Sequence, residues 1–138
     1  MAVQPGRSSV LWIGCLVVVA VAAAAITSAL AWSSQQQTEK IARAMTGGDP
    51  AHAPELFRRY GCTGCHAISG IAGADGAVGP PLSGLRQRVY IGGVATNSPD
   101  HLVQWITSPQ SLSPQTAMPP SGISQAEARD VAAYLYSH

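Results

Sequence analysis

The residues best suited to chemistry in this sequence are Cys62, Cys65 and His66. Two cysteines three positions apart, followed at once by a histidine, form the C-x-x-C-H pattern of c-type haem attachment. Each thiol can form a thioether bond with one vinyl group of a porphyrin, and the imidazole can then ligate the iron from below the ring. The pattern therefore predicts one covalent haem c, held by Cys62 and Cys65, with His66 as an axial ligand.

Two other kinds of site use closely spaced cysteines, and the surroundings of this pair argue against both. A structural zinc site needs further cysteines or histidines at matched spacing, but the one remaining cysteine, Cys15, lies in an apolar run. A redox-active C-x-x-C pair is typical of a βαβ setting, and no strand pattern flanks this motif. Cys15 itself is interpreted as a small apolar residue, with lipidation as the alternative.

Composition limits the classes of partner. The chain has 138 residues, a formal net charge of +1 and 11% charged residues. Nucleic-acid-binding proteins usually carry a basic stripe, so no nucleic-acid partner is expected. The soluble part, from residue 53 on, is small for an independent hydrophobic core. Because a covalent haem would supply much of the missing apolar surface, we expect the chain to fold poorly without it.

An uncharged, apolar run covers residues 10–32, with Trp12 and Trp32 near its two ends. As a helix it would be about 35 Å long, enough for a hydrocarbon core of about 30 Å, and the two tryptophans are spaced as an aromatic belt at both interfaces. We therefore predict a transmembrane helix over 10–32. The alternative is a cleaved signal peptide with an A-x-A site at 29–31, although the run is longer than the apolar region of such peptides.

The rest of the chain is divided around this helix. Residues 1–9 are predicted to be cytoplasmic, 33–52 to form a connector, and 53–138 to form the haem domain. The helix could extend into the connector by two or three turns, until the Gly-Gly-Asp-Pro sequence at 47–50 breaks it. Because haem attachment of this kind takes place outside the bacterial cytoplasm, we expect a single-pass protein of the inner membrane with its haem domain on the extracytoplasmic side.

Capping signals and apolar periodicity predict three helices in the haem domain. The first covers 54–60, with a proline in its first turn. The second follows the N-cap Ser98 and stops before Pro109. The third opens with a capping box at Ser124 and runs to Ser137.

Aromatic residues of the first and third helices are expected in the core rather than in the site. Phe57 and Tyr60 are three positions apart and share one helix face. Val131, Tyr134 and Leu135 lie on the inward face of the third helix. We expect Tyr134 or Leu135 to cross the first helix near Phe57.

This order of features resembles the class I c-type cytochromes: an aromatic N-terminal helix, C-x-x-C-H, a Gly-Pro loop, a middle helix, a methionine loop and a C-terminal helix. The similarity covers about Ala53 to Ser137. It implies an all-α fold, in which a small helical domain is wrapped around one covalent haem. It also implies that Met118 is the second axial ligand, because the other methionines are Met1 at the terminus and Met45 in the connector.

The resemblance assigns further contacts around the histidine side of the haem. It implies that the carbonyl of Pro80 accepts a hydrogen bond from Nδ1–H of His66, which would fix the ring orientation. It implies that Leu82 and Leu85 pack on the haem face.

On the methionine side, the resemblance places Trp105 beside Met118 and lets Thr116 bond a haem propionate. Tyr90 or a neighbouring arginine is expected to contact a propionate as well. Three histidines, at 52, 101 and 138, could also ligate iron, but none lies in a matching loop.

Axial ligation decides the expected activity. An iron with both axial positions filled can cycle one electron but cannot readily bind oxygen or peroxide, so we expect an electron carrier rather than an enzyme. The segment from Tyr90 to Met118 is also similar to the cytochrome c domain fused to subunit II of caa3-type haem-copper oxidases. This similarity implies an anchored subunit or dedicated donor of a respiratory terminal oxidase, supplied by a redox protein donor.

Two alternatives to this function stay open. The first is a free-standing anchored shuttle between respiratory complexes, and the second is a haem peroxidase, which requires that Met118 does not ligate. Residues 53–138 contain five arginines and five acidic residues. A diffusible shuttle usually uses a charged docking face, so this balance favours fixed or tethered docking.

Overall fold

The computed structural model describes residues 7–138 and begins with one long helix, α1 (Arg7–Thr46). Of the predicted cytoplasmic segment, residues 1–6, including Met1, lie outside the described residues. Helix α1 runs through the whole predicted membrane span and into the connector. It ends at Thr46, and Gly47 follows with a φ of +71°. The predicted helix break in the Gly-Gly-Asp-Pro sequence is therefore confirmed.

The apolar part of α1 is exposed along its whole length, from Trp12 to Trp32. Within the described residues, α1 is the one helix that is long and apolar enough to cross a membrane. A membrane anchor and an N-terminal signal sequence share these properties, so the two interpretations stay open.

The remaining elements are short and mostly helical. In chain order they are a 3₁₀ turn (Pro50–His52), α2 (Ala53–Arg59), α3 (Cys62–Cys65), a second 3₁₀ turn (Leu85–Gln87), β1 (Tyr90–Ile91), β2 (Ala95–Thr96), α4 (Pro99–Thr107), α5 (Pro109–Leu112) and α6 (Gln125–Ser137). The predicted all-α class is confirmed. The antiparallel pair β1–β2 was not predicted, because two residues per strand are too few for an alternating pattern.

The predicted helix starts are confirmed by their caps. The Ser98 hydroxyl accepts a hydrogen bond from the His101 amide at 3.2 Å and so begins α4. In α6 both bonds of the capping box are present: Ser124 accepts from the amide of Glu127, and the Glu127 carboxylate accepts from the amide of Ser124. These bonds satisfy amide groups that have no partner within the helix.

Helix α6 is the centre of the core. Residues 131–137 are all buried, because α6 contacts α2, α4 and both 3₁₀ turns. Where it crosses α2, the rings of Phe57 and Tyr134 meet edge to face with centroids 5.3 Å apart. This confirms Tyr134 as the residue that crosses the first helix of the domain.

The second half of the predicted connector packs on α6. Residues Gln37–His138 form one compact unit. Within it, the Asp49 amide donates to Asp130 at 2.6 Å, and the Arg129 guanidinium donates to the carbonyl of Thr46 at 3.0 Å. These contacts join the end of α1 directly to the core helix of the haem domain, so this part of the chain is not a loose tether.

Candidate functional site

An apolar cleft opens between α6, α4 and the loops that follow α3. Its empty volume, with the open mouth included, is about 730 Å³. Most of its lining is aliphatic or aromatic: Phe57, Leu82, Leu85, Ile91, Leu102, Trp105, Ile106, Ile123, Val131 and Leu135. A cleft with this lining suits an apolar group.

The cysteine motif lies on the wall of this cleft. Helix α3 is a single turn over Cys62–Cys65, and it starts after Gly61, which has a φ of +72°. Both cysteines carry free thiols. Cys62 faces the cleft, and burial raises the pKa of its thiol. Cys65 and His66 line an adjoining cavity of about 590 Å³.

The histidine of the motif is held in a defined tautomer. Nδ1 of His66 lies 2.8 Å from the carbonyl oxygen of Pro80, the partner that the resemblance implied. Because a carbonyl oxygen only accepts hydrogen bonds, Nδ1 carries the proton, and Nε2 keeps its lone pair for a metal. Gly79 allows this approach, since a Cβ there would lie 2.3 Å from Cε1 of His66.

Met118 lies in a loop that hydrogen bonds hold in place. The Gln110 side-chain amide donates to the carbonyl of Met118 at 2.8 Å, and the Met118 amide donates to the hydroxyl of Thr116 at 3.3 Å. Farther along, the Ser121 hydroxyl donates to the carbonyl of Ile106 in α4 at 3.0 Å. The loop is therefore joined to both α4 and α5.

All ten site residues expected from the sequence line one or both of these cavities. The cleft contacts Cys62, His66, Pro80, Leu82, Leu85, Tyr90, Trp105 and Met118. The adjoining cavity contacts Cys65, His66, Pro80, Trp105, Thr116 and Met118. Two thiols, an imidazole whose Nε2 is available and a thioether thus line two adjoining apolar cavities. This donor set fits a covalently attached haem.

A comparison with known families agrees with this geometry. The family model for cytochrome c matches residues 50–138. The chain belongs to the cytochrome c family. Membership implies a covalently bound c-type haem, which supplies reversible one-electron redox chemistry when bound. Neither a search of curated proteins nor a search of solved structures found a significant match.

The cytochrome c domain also contains cleft residues that the sequence interpretation missed. Gly92 has a φ of +57°, and a Cβ there would lie 2.4 Å from Cη2 of Trp105. Two consecutive glycines, Gly92 and Gly93, were the available signal for this close approach. Phe57 and Tyr60 were expected to pack in the core, and this is confirmed: Phe57 is fully buried in the core and Tyr60 packs against it. Both also line the cleft, because the site is the centre of this small core.

Tyr90 and Arg88 lie at the polar edge of the cleft in the cytochrome c domain. Both line it, whereas Arg86 lines a different cavity. The Arg88 guanidinium already donates to the carbonyls of Pro81 and Ser83. Of the two arginines near Tyr90, Arg88 is therefore the one positioned to contact a propionate of a haem bound in the cleft.

The three other histidines of the described chain are engaged elsewhere. Nδ1 of His52 lies 3.0 Å from the carboxylate of Asp130, and Nδ1 of His101 lies 2.8 Å from the carbonyl of Thr96. The third, His138, stacks on Tyr134 with ring centroids 3.9 Å apart. None of the three lines either cavity, which leaves Met118 as the candidate second ligand.

Proposed function

We propose that this cytochrome c is a membrane-anchored one-electron carrier that holds a single haem c and delivers electrons to a respiratory terminal oxidase. The observation that carries the proposal is that His66 and Met118 both line both cavities, while each cysteine of the motif lines one of them. An iron with imidazole and thioether ligands has no open position for oxygen or peroxide. His/Met ligation also raises the reduction potential relative to bis-histidine ligation, which suits late steps of a respiratory chain.

Membrane anchoring is part of the proposal and is supported by α1. Its apolar side chains from Trp12 to Trp32 are uncovered, as expected for a helix surrounded by lipid. The haem domain would then lie on the extracytoplasmic side of the bacterial inner membrane. Mass determination of the mature protein tests this, because cleavage after residue 31 would remove the span and identify a signal peptide.

The axial ligands are tested by substitution at Met118, with Met45 as the control. Met45 is half exposed on α1 and lines neither cavity. We expect Met118→Ala to retain covalent haem but to bind carbon monoxide rapidly when reduced, whereas Met45→Ala should behave as the wild type. Rapid carbon monoxide binding by the wild type would contradict Met118 ligation and favour a peroxidase.

Two modes of action remain for the electron carrier. As a subunit or dedicated donor, it would co-purify with the oxidase from membranes in mild detergent. As a free-standing anchored shuttle between respiratory complexes, it would separate from the oxidase under the same conditions. We propose the first mode because the sequence of the segment Tyr90–Met118 resembles the domain of caa3-type oxidases. This mode predicts co-purification in constant ratio to the oxidase haems.

A further inference from the structure

The residues that line the opening beside Cys65 carry no acidic or basic side chain apart from the imidazole of His66. We define the rim as Val78, Gly79, Pro80, Ala117 and Pro119, which line the adjoining cavity. The same cavity is lined by Cys65, by His66 and by Met118. A group that these residues hold can therefore be reached through the rim, which gives a redox partner a place to approach it.

Val78 is the most unusual residue of the rim. Its side chain is 83% exposed, more than that of any other large apolar residue from 12 to 138, including those of the apolar helix α1. Contact of so much apolar surface with water raises the free energy of the isolated domain. Exposed apolar surface at such a place marks an interaction site.

The lack of charge extends well beyond the rim. Residues 76–85 contain no acidic or basic side chain, and neither do residues 102–126. These two segments supply the loops on both sides of the opening. Proteins that rely on electrostatic steering place charge around their contact site, and such charge is lacking in both segments.

We propose that the rim is the docking surface for the electron acceptor of this protein, and that the acceptor presents an uncharged, apolar patch. This inference rests on the proposed function and names the chemistry of its partner. A highly charged acceptor would find no complementary charge on the rim itself and would lose hydration of its own charges on docking. A lipid surface is disfavoured because membrane-binding faces pair apolar residues with basic ones.

The experiment places charges of both signs at Val78 in the full-length, haem-loaded protein. The acceptor assay is oxygen uptake by native membranes that lack the endogenous copy of this chain. We expect Val78→Asp and Val78→Lys each to lower the second-order rate at least about tenfold, because either charge must be desolvated on docking. The matched control is Val89, which is 70% exposed and lines neither cavity, and its Asp and Lys variants should react as the wild type.

The dependence of the wild-type rate on ionic strength is an independent test of the same proposal. The wild-type rate should change by less than about twofold between low and physiological salt, since steering by charge would change it by about tenfold or more. Opposite effects of Asp and Lys at Val78, or a steep salt dependence of the wild type, would identify a charged acceptor and overturn the proposal.

Further readouts separate this inference from the proposed function. Haem staining and the visible spectrum should be the same in all variants, because Val78 is a solvent-exposed side chain. No oxygen uptake with the wild type would reject the proposed function, whereas uptake that is unaffected by either charge at Val78 would reject only the docking surface. Loss of vesicle binding or of self-association in the Val78 variants would assign the rim to lipid or to a second copy, and would also overturn the inference.

Discussion

Replacing Gln110 by alanine tests whether the methionine loop is held by a single side chain of α5. The Gln110 amide donates to the carbonyl of Met118 over 2.8 Å, and this bond is partly buried. Its partner is the backbone of the candidate ligand, so the bond acts on the position of the thioether without touching it. Gln110 is in this sense a positioning residue.

The size of the expected effect follows from the net free energy that such a hydrogen bond contributes. A neutral intramolecular hydrogen bond contributes about 0.5–1.5 kcal/mol, and about 1.4 kcal/mol corresponds to a tenfold change in an equilibrium constant. Loss of the Gln110 amide should therefore raise the population of the detached Met118 loop about 2- to 12-fold. The amide of Met118 still donates to the Thr116 hydroxyl at 3.3 Å, so the loop should remain mostly attached.

The assay is a titration of the ferric, haem-loaded protein with imidazole. Imidazole can occupy the iron only when Met118 has detached, so its apparent affinity scales with the detached population. We expect Gln110→Ala to raise this affinity about 2- to 12-fold at an unchanged haem content. The matched control is Gln104→Ala: the Gln104 amide donates to the Ser111 hydroxyl at 3.1 Å and does not reach the methionine loop.

Two results would refute this reasoning. Equal imidazole affinities of Gln110→Ala and the wild type would show that the bond does not restrain the loop. An equal rise in both glutamine variants would show that α4 and α5 loosen together, without a specific effect on Met118.

The remaining predictions concern the domain boundary and pH. A fragment that begins at Gln37 should be more stable in denaturant unfolding than one that begins at Ala53, because only the longer one retains the contacts between the end of α1 and α6. The pKa of Glu127 is lowered, first by the hydrogen bond from Ser124 and then by that from Tyr60. Since its folded pKa lies below its unfolded value, the stabilisation by this carboxylate is present above the unfolded pKa and is lost as pH falls through the folded one. Glu127→Gln should therefore be less stable than the wild type near neutral pH, and the two should converge in acid; a constant difference would contradict this linkage.

Local signals in the sequence predicted α2, α4 and α6, but not the single turns α3 and α5. Ser98 and Ser124 are caps whose bonds involve residues only three positions away, so sequence spacing alone specifies them. The hydrogen bond between His66 and Pro80 spans 14 residues, and only the resemblance to a known family made it predictable. The roles of the ten site residues remain predictions, although the structure brings them together.

Other contacts of the site had no local signal. The approach of Gly92 to Trp105 and the bond from Gln110 to Met118 depend on how the loops fold around the cleft. The packing of the C-terminal end of α1, from Gln37 on, within the compact unit was missed for a similar reason. Ala42 and Thr46 are both only 1% exposed and lie one helical turn apart, but two small side chains in a polar segment do not make an apolar stripe.

The same helix that receives the end of α1 also forms a wall of the cleft. On α6, Arg129 binds the last residue of α1 and Asp130 binds the segment that follows it, while Val131 lines the cleft one position later. The segment lies so close that a Cβ at Gly48 would be 2.2 Å from the backbone carbonyl carbon of Arg129. Because well-packed elements transmit strain, a displacement of this segment would be felt at Val131 and in the cleft. The part of the chain that leads towards the proposed membrane anchor thus belongs to the structural support of the haem site.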